Sequence, residues 1–379
     1  MHVIYDARVI EFQFTGLGRF AGELLFKLLD MAEQDSITYT VLVCKNTVSA
    51  DSRNYLYEKL KNYESQGMCN ISITSFRPIS LVQHFFLSRH VNKINADIYF
   101  YPHFDLPFGI NAPCIFMVHD LFPLKVPGYI TKFSSFKVLY FKLMLQWGIR
   151  KAAYVFALSN TTRRDYIQVV GERFSEKVGV SLAGPIVNDT RKIDLNQINL
   201  DIPKNFLFYI GDRRPHKNIK RIVDMFVALK EETNYSGSLV LAGSTKNHGF
   251  DLDAYVNGRS DILILGPVDD GMLEYLYQKM DALVFLSKYE GLGLPVLEAG
   301  RLMKKVIVSD GGALPEFAPP WAYILPNNVD LDSALSELNG YLNSLCFFEE
   351  AFNKKFTWDI AAERVRDKFI EFEWVKYDS

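Results

Sequence analysis

Short apolar runs alternate with longer helical patterns along almost the whole chain, and this series occurs twice. Most of the runs are continuously apolar, which is typical of parallel strands covered by helices on both faces. Repeated strand–helix units of this kind predict doubly wound α/β sheets. The predicted strands are 3–9, 40–44, 71–76, 97–101, 114–119 and 154–159 in the first series, and 206–211, 238–243, 262–266, 282–287, 306–309 and 323–325 in the second.

The chain is too long for one compact core. Its 379 residues suit two domains of ordinary size. A polar stretch that begins at Gly184 has no clear periodicity, so the interdomain linker is expected at about 184–203. We predict two Rossmann-like domains, over residues 1–185 and 200–355. The terminal segment 356–379 is expected to form a helix that packs back toward the first domain.

Composition and charge exclude several classes of protein. Apolar residues make up 49% and charged residues 23%, which argues against long disordered segments. The formal net charge of −2 argues against broad nucleic-acid binding. Residues 1–190 hold 20 basic and 16 acidic side chains, a charge of +4, and the remainder 22 and 28, a charge of −6. The basic first half fits either ordinary scatter or an anionic partner, such as a membrane face or a phosphorylated acceptor.

The N-terminus and the cysteines predict a cytoplasmic protein. Charge interrupts the first apolar residues, so no signal peptide is visible, and no run approaches the roughly 20 apolar residues that span a bilayer. The cysteines are scattered, with no C-x-x-C pair and no histidine spacing typical of zinc. We therefore expect reduced thiols in the core. They are Cys44, Cys69, Cys114 and Cys346.

The segment richest in candidate ligand-binding residues spans 287–301 and follows a predicted strand. Ligands of parallel sheets bind beyond the carboxyl ends of the strands. Gly291 and Gly293 let the backbone approach a ligand, and the helix that follows offers free amides and a dipole that attract phosphate. Glu290 and Glu298 flank this loop, where carboxylates accept hydrogen bonds from the hydroxyls of a sugar or ribose.

This loop carries a family resemblance. Glu290-Gly-Leu-Gly-Leu-Pro-Val-Leu-Glu298 resembles the E-x7-E motif of retaining family 4 glycosyltransferases, and the similarity continues through 309–316. It implies the GT-B fold, two doubly wound Rossmann-like domains facing each other across a cleft, with the acceptor on the first and the nucleotide sugar on the second. It places Glu290 beside the donor sugar and Glu298 at the ribose, and it assigns sugar and diphosphate contacts to the loop Gly291, Leu292, Gly293 and Leu294. Residues 301–305 depart from the family pattern, which affects packing rather than the pocket.

A basic cluster follows the first strand of the second domain, at Arg213, Arg214, His216 and Lys217. Breaking the bond between sugar and diphosphate increases the negative charge on the leaving group, and fixed cations there stabilise the transition state. The segment resembles the family's diphosphate clamp. Lys217 matches it and is predicted to be catalytic together with Glu290, whereas either Arg213 or Arg214 completes the pair.

A glycine-rich segment lies near the N-terminus. Residues 16–21 satisfy the dinucleotide pattern G-x-G-x-x-A, but about six residues separate them from the strand, and no ribose-binding acid ends the second strand. An NAD site is therefore not expected. The stretch resembles the family's glycine-rich loop near the donor phosphates, which makes Gly18 a candidate donor contact and Arg19 a candidate on the acceptor side.

Two histidines follow strands of the first domain. His119 comes directly after a strand, where it suits a hydrogen bond to the donor sugar, and the resemblance implies this role. It is therefore predicted to be a catalytic residue, with Lys217 and Glu290. Asp120 is expected to position groups nearby. His103 follows the preceding strand and is a candidate for the acceptor side. A structural role is the alternative for each histidine.

Three further patterns are associated with predicted helices. The helix predicted over 132–151 mixes large apolar side chains with lysines, which suits a covering helix or an anionic membrane surface. Ser159 and Asn160 are expected to cap a helix. Asp251-Leu-Asp253 and Asp330-Leu-Asp332 match the metal-binding D-x-D triplet, but each opens a helical pattern, so capping is the preferred explanation and no catalytic metal or cofactor is predicted.

The sequence as a whole predicts a metal-independent, retaining hexosyltransferase that takes a nucleotide sugar, with GDP-mannose as the favoured donor. The resemblance is to bacterial mannosyltransferases of O-antigen and exopolysaccharide assembly. A glycan or lipid-linked acceptor is expected, without nucleic acid, and the location is either the cytoplasm alone or the cytoplasm with peripheral association at the inner face of the membrane. The alternatives are a sugar-nucleotide-binding protein without activity and a nucleotide-sugar epimerase.

Overall fold

A computed structural model describes residues 1–12, 15–48, 54–126, 135–186, 201–246 and 250–377 of the chain. The chain divides into two compact units. The first comprises Met1–Pro123, Ile130–Gly184 and Thr357–Ser379, and the second comprises Leu124–Tyr129 and Pro185–Phe356. Most of the linker predicted at 184–203 lies outside the described residues.

The first unit is built on a parallel sheet of seven strands in the order β3-β2-β1-β4-β5-β6-β7. Its central strands are almost entirely buried, because helices cover both faces. The order reverses between β1 and β4, and the loops after these strands therefore diverge to leave a crevice. The strands are β1 His2–Asp6, β2 Thr38–Cys44, β3 Asn70–Thr74, β4 Ile98–Tyr101, β5 Cys114–Val118, β6 Tyr154–Ala157 and β7 Val178–Val180.

The final helix of the chain, α15, belongs to the first unit. Its Trp358 contacts Phe20 of α1, with ring centroids 5.2 Å apart, and its Phe369 contacts Phe100 of β4 at 5.4 Å. The helices of this half of the structure are α1 Gly16–Asp35, α2 Lys45–Val48, α3 Tyr55–Ser65, α4 Leu81–Val91, α5 Phe122–Lys125, α6 Ser135–Lys151, α7 Asn160–Val170 and α15 Trp358–Tyr377.

The second unit has a parallel sheet of six strands in the order β10-β9-β8-β11-β12-β13, with the reversal between β8 and β11. Helices pack against the buried strands to form one apolar core. The strands are β8 Phe206–Ile210, β9 Ser238–Ala242, β10 Ile262–Gly266, β11 Ala282–Phe285, β12 Lys305–Val308 and β13 Tyr323–Ile324. The helices are α8 Ile219–Glu232, α9 Leu252–Val256, α10 Asp270–Lys279, α11 Leu294–Arg301, α12 Leu314–Phe317, α13 Leu331–Asn343 and α14 Ala351–Lys355.

The structure confirms the doubly wound sheets and corrects several boundaries. Most predicted strands run one or two residues too far at their carboxyl ends, because the apolar pattern continues into the loops. The strand β7 was not predicted, since its sequence Val-Gly-Val is short and contains glycine. Helix α1 begins at Gly16, so the expected glycine-rich loop is already helical there. Cys44, Cys69 and Cys114 are buried free thiols, but Cys346 is partly exposed and lies outside the core.

Candidate active site

The loops after β8 and β11 meet at the point where the strand order of the second unit reverses. Lys217 comes from the first loop and Glu290 from the second, and the Lys217 Nζ and Glu290 Oε1 atoms are 2.7 Å apart. The amide of Lys288 donates to the carbonyl oxygen of His216 at 2.7 Å, and Asn218 Nδ2 donates to that of Leu286 at 3.2 Å. These hydrogen bonds fix the two loops to each other, so the ion pair has a rigid frame.

Glu290 is also held through its backbone by the loop after β12. Its amide donates to Gly311 O at 3.3 Å, and its carbonyl oxygen accepts from the amide of Ala313 at 2.8 Å. A Cβ on Gly311 would lie 2.2 Å from Ser287 O, and one on Gly312 2.3 Å from Glu290 O. Only glycine permits this close approach. The diglycine of residues 309–316 thus positions the carboxylate.

The glycine loop ahead of α11 presents backbone amides without hydrogen-bond acceptors among the described residues. Gly293 caps the helix with a left-handed backbone, φ +97°. In the part of the chain that the structure describes, the backbone N–H groups of Gly291, Leu292, Gly293 and Leu294 donate to no carbonyl or side chain. Buried N–H groups require a partner, and together with the dipole of α11 they favour an anion such as a phosphate.

Glu298 lies one turn into α11 and is buried. Its Oε2 accepts a hydrogen bond of 2.5 Å from the hydroxyl of Tyr277 on α10. The ring of Tyr277 in turn packs edge-on against Phe208 of β8, with centroids 5.5 Å apart. The two glutamates of the motif therefore differ in their partners, a lysine for Glu290 and a tyrosine for Glu298. Tyr277 was not predicted, because it lies 21 residues away in the sequence.

The two arginines after β8 have different surroundings. Arg213 is 8% exposed and pairs with Asp253 of α9, Nη1 to Oδ2 3.3 Å. Arg214 is 38% exposed and pairs with Asp212, Nε to Oδ2 2.7 Å. Asp253 is thus an ion-pair partner, a role its D-x-D pattern did not indicate, whereas Asp251 caps α9 through the amide of Ala254, as predicted.

His216 belongs to the predicted basic cluster by sequence, but it does not carry a positive charge. Burial, together with the neighbouring charge of Lys217, lowers its pKa to about 4. The imidazole is therefore neutral near pH 7. The sequence interpretation counted His216 among the fixed cations, which is wrong because sequence spacing does not show that the side chain is 2% exposed.

His119 lies at the carboxyl end of β5 in the first unit. Its Nε2 donates to the carbonyl oxygen of Pro102 at 2.8 Å, since a carbonyl only accepts. Burial lowers the pKa of His119 to about 4, so the ring is neutral and its Nδ1 is the acceptor. Phe20 packs edge-on against the ring at 5.0 Å. The side chain is therefore suited to accept a hydrogen bond from a sugar hydroxyl and not to act as an acid.

His103 lies next to His119, with ring centroids 6.4 Å apart. Its Nδ1 is hydrogen-bonded to the fully buried Asp105, which also accepts from Gln83 Nε2 at 2.5 Å. Burial acts to raise the pKa of Asp105, but the contact with His103 outweighs it and the pKa lies below its usual value. Asp105 and Gln83 were missed, although Asp105 stands two residues after His103 in the sequence.

The remaining predicted residues of the first unit have structural contacts. The amide of Gly18 donates to Thr15 Oγ1 at 3.2 Å and so forms the cap of α1. Arg19 lies in the first turn of this helix and is partly buried. Asp120 Oδ1 accepts from the amide of Phe122 at 3.3 Å. Ser159 caps α7 through the amide of Thr162 at 3.0 Å, as predicted.

A second buried ion pair was not predicted. Arg8 and Asp6 are fully buried at the end of β1, with Nη2 and Oδ2 2.6 Å apart, and the hydroxyl of Tyr99 also donates to Asp6. The pKa of Arg8 is raised because the attraction of Asp6 outweighs burial. Since β1 and β4 border the reversal of the first sheet, this buried pair lies beside that reversal.

Residues 190–344 match the family model described as glycosyl transferases group 1. The second unit is a glycosyl transferases group 1 domain. This group 1 domain contains Lys217, Glu290, Glu298 and the glycine loop, and the match confirms the resemblance drawn from the motif. Within the described residues, no helix is long and apolar enough to cross a membrane.

Three bacterial mannosyltransferases are similar in sequence to this chain, each over a different share of its length. The O-antigen chain mannosyltransferase RfbU of Salmonella typhimurium is 28% identical over 59% of this chain and 63% of its own length. The O-antigen chain mannosyltransferase B of Escherichia coli is 25% identical over 88% and 89%. The serotype-specific mannosyltransferase WbdA of E. coli is 23% identical over 86% of this chain but only 41% of its own length. The chain thus spans less than two thirds of RfbU and under half of WbdA.

Solved structures share the fold. A glycosyltransferase from Rickettsia africae superposes with a TM-score of 0.65 at 15% identity, covering 98% of this chain and 97% of its own. Anabaena Alr3699/HepE in complex with UDP and glucose superposes with a TM-score of 0.63 at 14% identity, covering 97% and 98%. These similarities confirm the predicted GT-B-type fold class, in which two doubly wound α/β units follow one another.

Proposed function

We propose that the protein transfers a hexose from a nucleoside diphosphate sugar to a hydroxyl of a glycan or lipid-linked acceptor. The observation that carries the proposal is the Lys217–Glu290 pair beside the unpaired amides of Gly291–Leu294 in the group 1 domain. GDP-mannose is the proposed donor, because the named relatives include three O-antigen or serotype-specific mannosyltransferases. The protein would act in O-antigen or related polysaccharide assembly on the cytoplasmic side.

The geometry suits stabilisation of a departing diphosphate. With the diphosphate held by the amides and Lys217, these groups would meet the negative charge that increases as the bond between the sugar and the diphosphate breaks. Glu290 holds Lys217 in place and has acceptor capacity left for a sugar hydroxyl. Glu298 would bind the ribose, and Arg213 or Arg214 would add a second cation.

The proposed reaction proceeds with retention and without a metal. The acceptor oxygen attacks the anomeric carbon on the face from which the diphosphate leaves, and its proton passes to the departing phosphate oxygen. The carboxylate near the donor, Glu290, is tied to Lys217, which argues against its acting as a covalent nucleophile.

The first unit would bind the acceptor. Arg19, His103 and Asp120 are the proposed acceptor-side residues, and Gly18 a proposed donor contact. Neutral His119 would accept a hydrogen bond from a hydroxyl of the donor sugar through Nδ1. Nucleic acid is not a proposed partner.

The test is Lys217→Ala, with Lys220→Ala as the matched control. Lys220 lies three residues further along the chain, in the first turn of α8, where it is exposed and pairs with Asp224 at 2.8 Å. We expect Lys217→Ala to lower turnover by about a hundredfold or more, because one fixed transition-state donor is lost, and Lys220→Ala to leave it unchanged. Turnover is measured as GDP release from GDP-mannose with a panel of synthetic glycoside acceptors, and the product's anomeric configuration by NMR.

Glu290→Ala serves as a second variant at the same site. It should lose turnover with its fold retained, as judged by circular dichroism. Normal activity in either variant would refute the assigned site. Donor conversion without any acceptor would point to an epimerase, and nucleotide binding without turnover on any acceptor to a binding protein.

A further inference from the structure

The first unit carries large exposed apolar side chains on two neighbouring helices, α4 and α6. Phe85 of α4 is 65% exposed and Phe136 of α6 is 81% exposed. His84 of α4 is hydrogen-bonded to Tyr140 of α6, Nε2 to hydroxyl oxygen 2.6 Å, so the two helices contact each other. The exposed apolar residues on them are Leu81, Val82, Phe85, Phe86, Phe136, Leu139 and Leu143.

The first two turns of helix α4 are reversed in polarity compared with an ordinary surface helix, whereas Leu87 and Val91 further along are buried. Such helices turn an apolar stripe inward and polar residues outward. In α4 the polar Gln83 and His84 are buried, where they contact Asp105 and Tyr140, while the apolar residues beside them point to solvent. Large apolar side chains that are exposed together on neighbouring helices mark a candidate contact site.

Charge identifies the kind of partner. The sequence contains no Asp or Glu between residues 77 and 96 or between 121 and 164, the stretches that include both helices. Lys137 and Lys142 are exposed among the apolar positions of α6, and the Arg89 guanidinium lies 5.6 Å from the ring centroid of Phe86. A second copy of this surface would bring like charges together, whereas anionic lipid headgroups complement it.

We propose that the exposed faces of α4 and α6 form a docking surface for a lipid bilayer that contains anionic lipids. The leucine and phenylalanine side chains enter the boundary between headgroups and acyl chains, and the lysines and arginine contact lipid phosphates. The surface is independent of the proposed transferase reaction, and its binding is measured without any sugar nucleotide.

The experiment is flotation of the full-length protein with vesicles of phosphatidylcholine alone or mixed with phosphatidylglycerol. We expect binding to the mixed vesicles that weakens with salt. The double variants Leu81→Ser/Phe85→Ser and Phe136→Ser/Leu143→Ser should each reduce it about tenfold or more. The matched control Leu345→Ser/Phe347→Ser removes two even more exposed apolar residues from the second unit and should bind as the wild type does.

A charge pair completes the design. Lys137→Gln/Lys142→Gln should weaken binding, and Lys354→Gln/Lys355→Gln, which changes two exposed lysines at the end of α14, should not. Equal thermal midpoints show that the variants fold. Absence of flotation with mixed vesicles, equal binding to both vesicle types, or equal losses in the control variants would overturn the proposal. So would self-association in solution that the α4 variant abolishes, since a second copy would then be the occupant.

Discussion

Lys217 and His216 are neighbours in the chain, yet one is a charged group and the other a neutral one. His216 is buried against the β11 loop, whereas the Lys217 ammonium reaches Glu290. Burial penalises the charged imidazole more than the nearby carboxylate favours it, which keeps the pKa at about 4. Phosphate charge at this site would therefore meet Lys217 and the arginines.

A pH dependence of stability follows at the residue scale. The pKa of His216 is about 4 when folded and near its ordinary value of 6.5 when unfolded, so the unfolded chain binds more protons between these values. The contribution of His216 is therefore fully present above pH 6.5 and is lost as pH falls toward 4. The free energy of unfolding should decrease by up to about 1.4 kcal/mol per pH unit in this window.

The measurement is urea unfolding at pH values across this window, for the wild type and for His216→Gln. The variant removes the titrating group, so its free energy of unfolding should fall less steeply. An unchanged slope in the variant would show that His216 titrates normally in the folded protein.

At the scale of elements, the turn from β11 into α11 depends on one backbone conformation. Gly293 has φ +97°, and a Cβ there would lie 2.8 Å from Leu314 Cδ2. Gly293→Ala should therefore lower the free energy of unfolding by roughly 1–3 kcal/mol, measured by urea denaturation. Gly340→Ala in α13 is the matched control, because no atom lies within 4 Å of its added Cβ.

The control should be neutral or stabilise by up to about 1 kcal/mol, since alanine favours the helix. Equal stability of Gly293→Ala and the wild type would contradict the proposed strain. The same substitution also perturbs the free amides, so weaker GDP binding is expected alongside.

At the scale of the whole molecule, binding of the donor is expected to stabilise the folded protein. A ligand at about 100 times its dissociation constant adds about 2.7 kcal/mol to the free energy of unfolding. Among GDP-, UDP-, ADP- and dTDP-sugars, GDP-mannose should raise the thermal midpoint most, and GMP should do little because it lacks the diphosphate. Thermal-shift measurement checks this, with Lys217→Ala expected to lose most of the shift.

A larger shift with another base would overturn the donor assignment but leave the diphosphate site intact. Absence of a shift with every sugar nucleotide would overturn the site itself. Vesicle binding is measured separately, so either result leaves the docking surface of α4 and α6 to its own test.

The sequence by itself determined the fold class and the position of the glycine loop. Continuous apolar runs specify buried parallel strands, and the carboxyl ends of such strands lie at one edge of the sheet. The sequence therefore predicted that Lys217 and Glu290, which follow two of these strands, lie close together. Ser159 and Asp251 were predictable as helix caps, because capping depends only on residues within one turn of the helix.

Only the tertiary structure decided the partners that come from distant segments. Tyr277 beside Glu298, Asp253 beside Arg213 and Gln83 beside Asp105 are contacts between side chains 21 or more residues apart. The neutral state of His216 likewise depends on burial by other elements, and so does the outward apolar face of α4. Periodicity records which residues share a face, but packing alone determines which face meets the core.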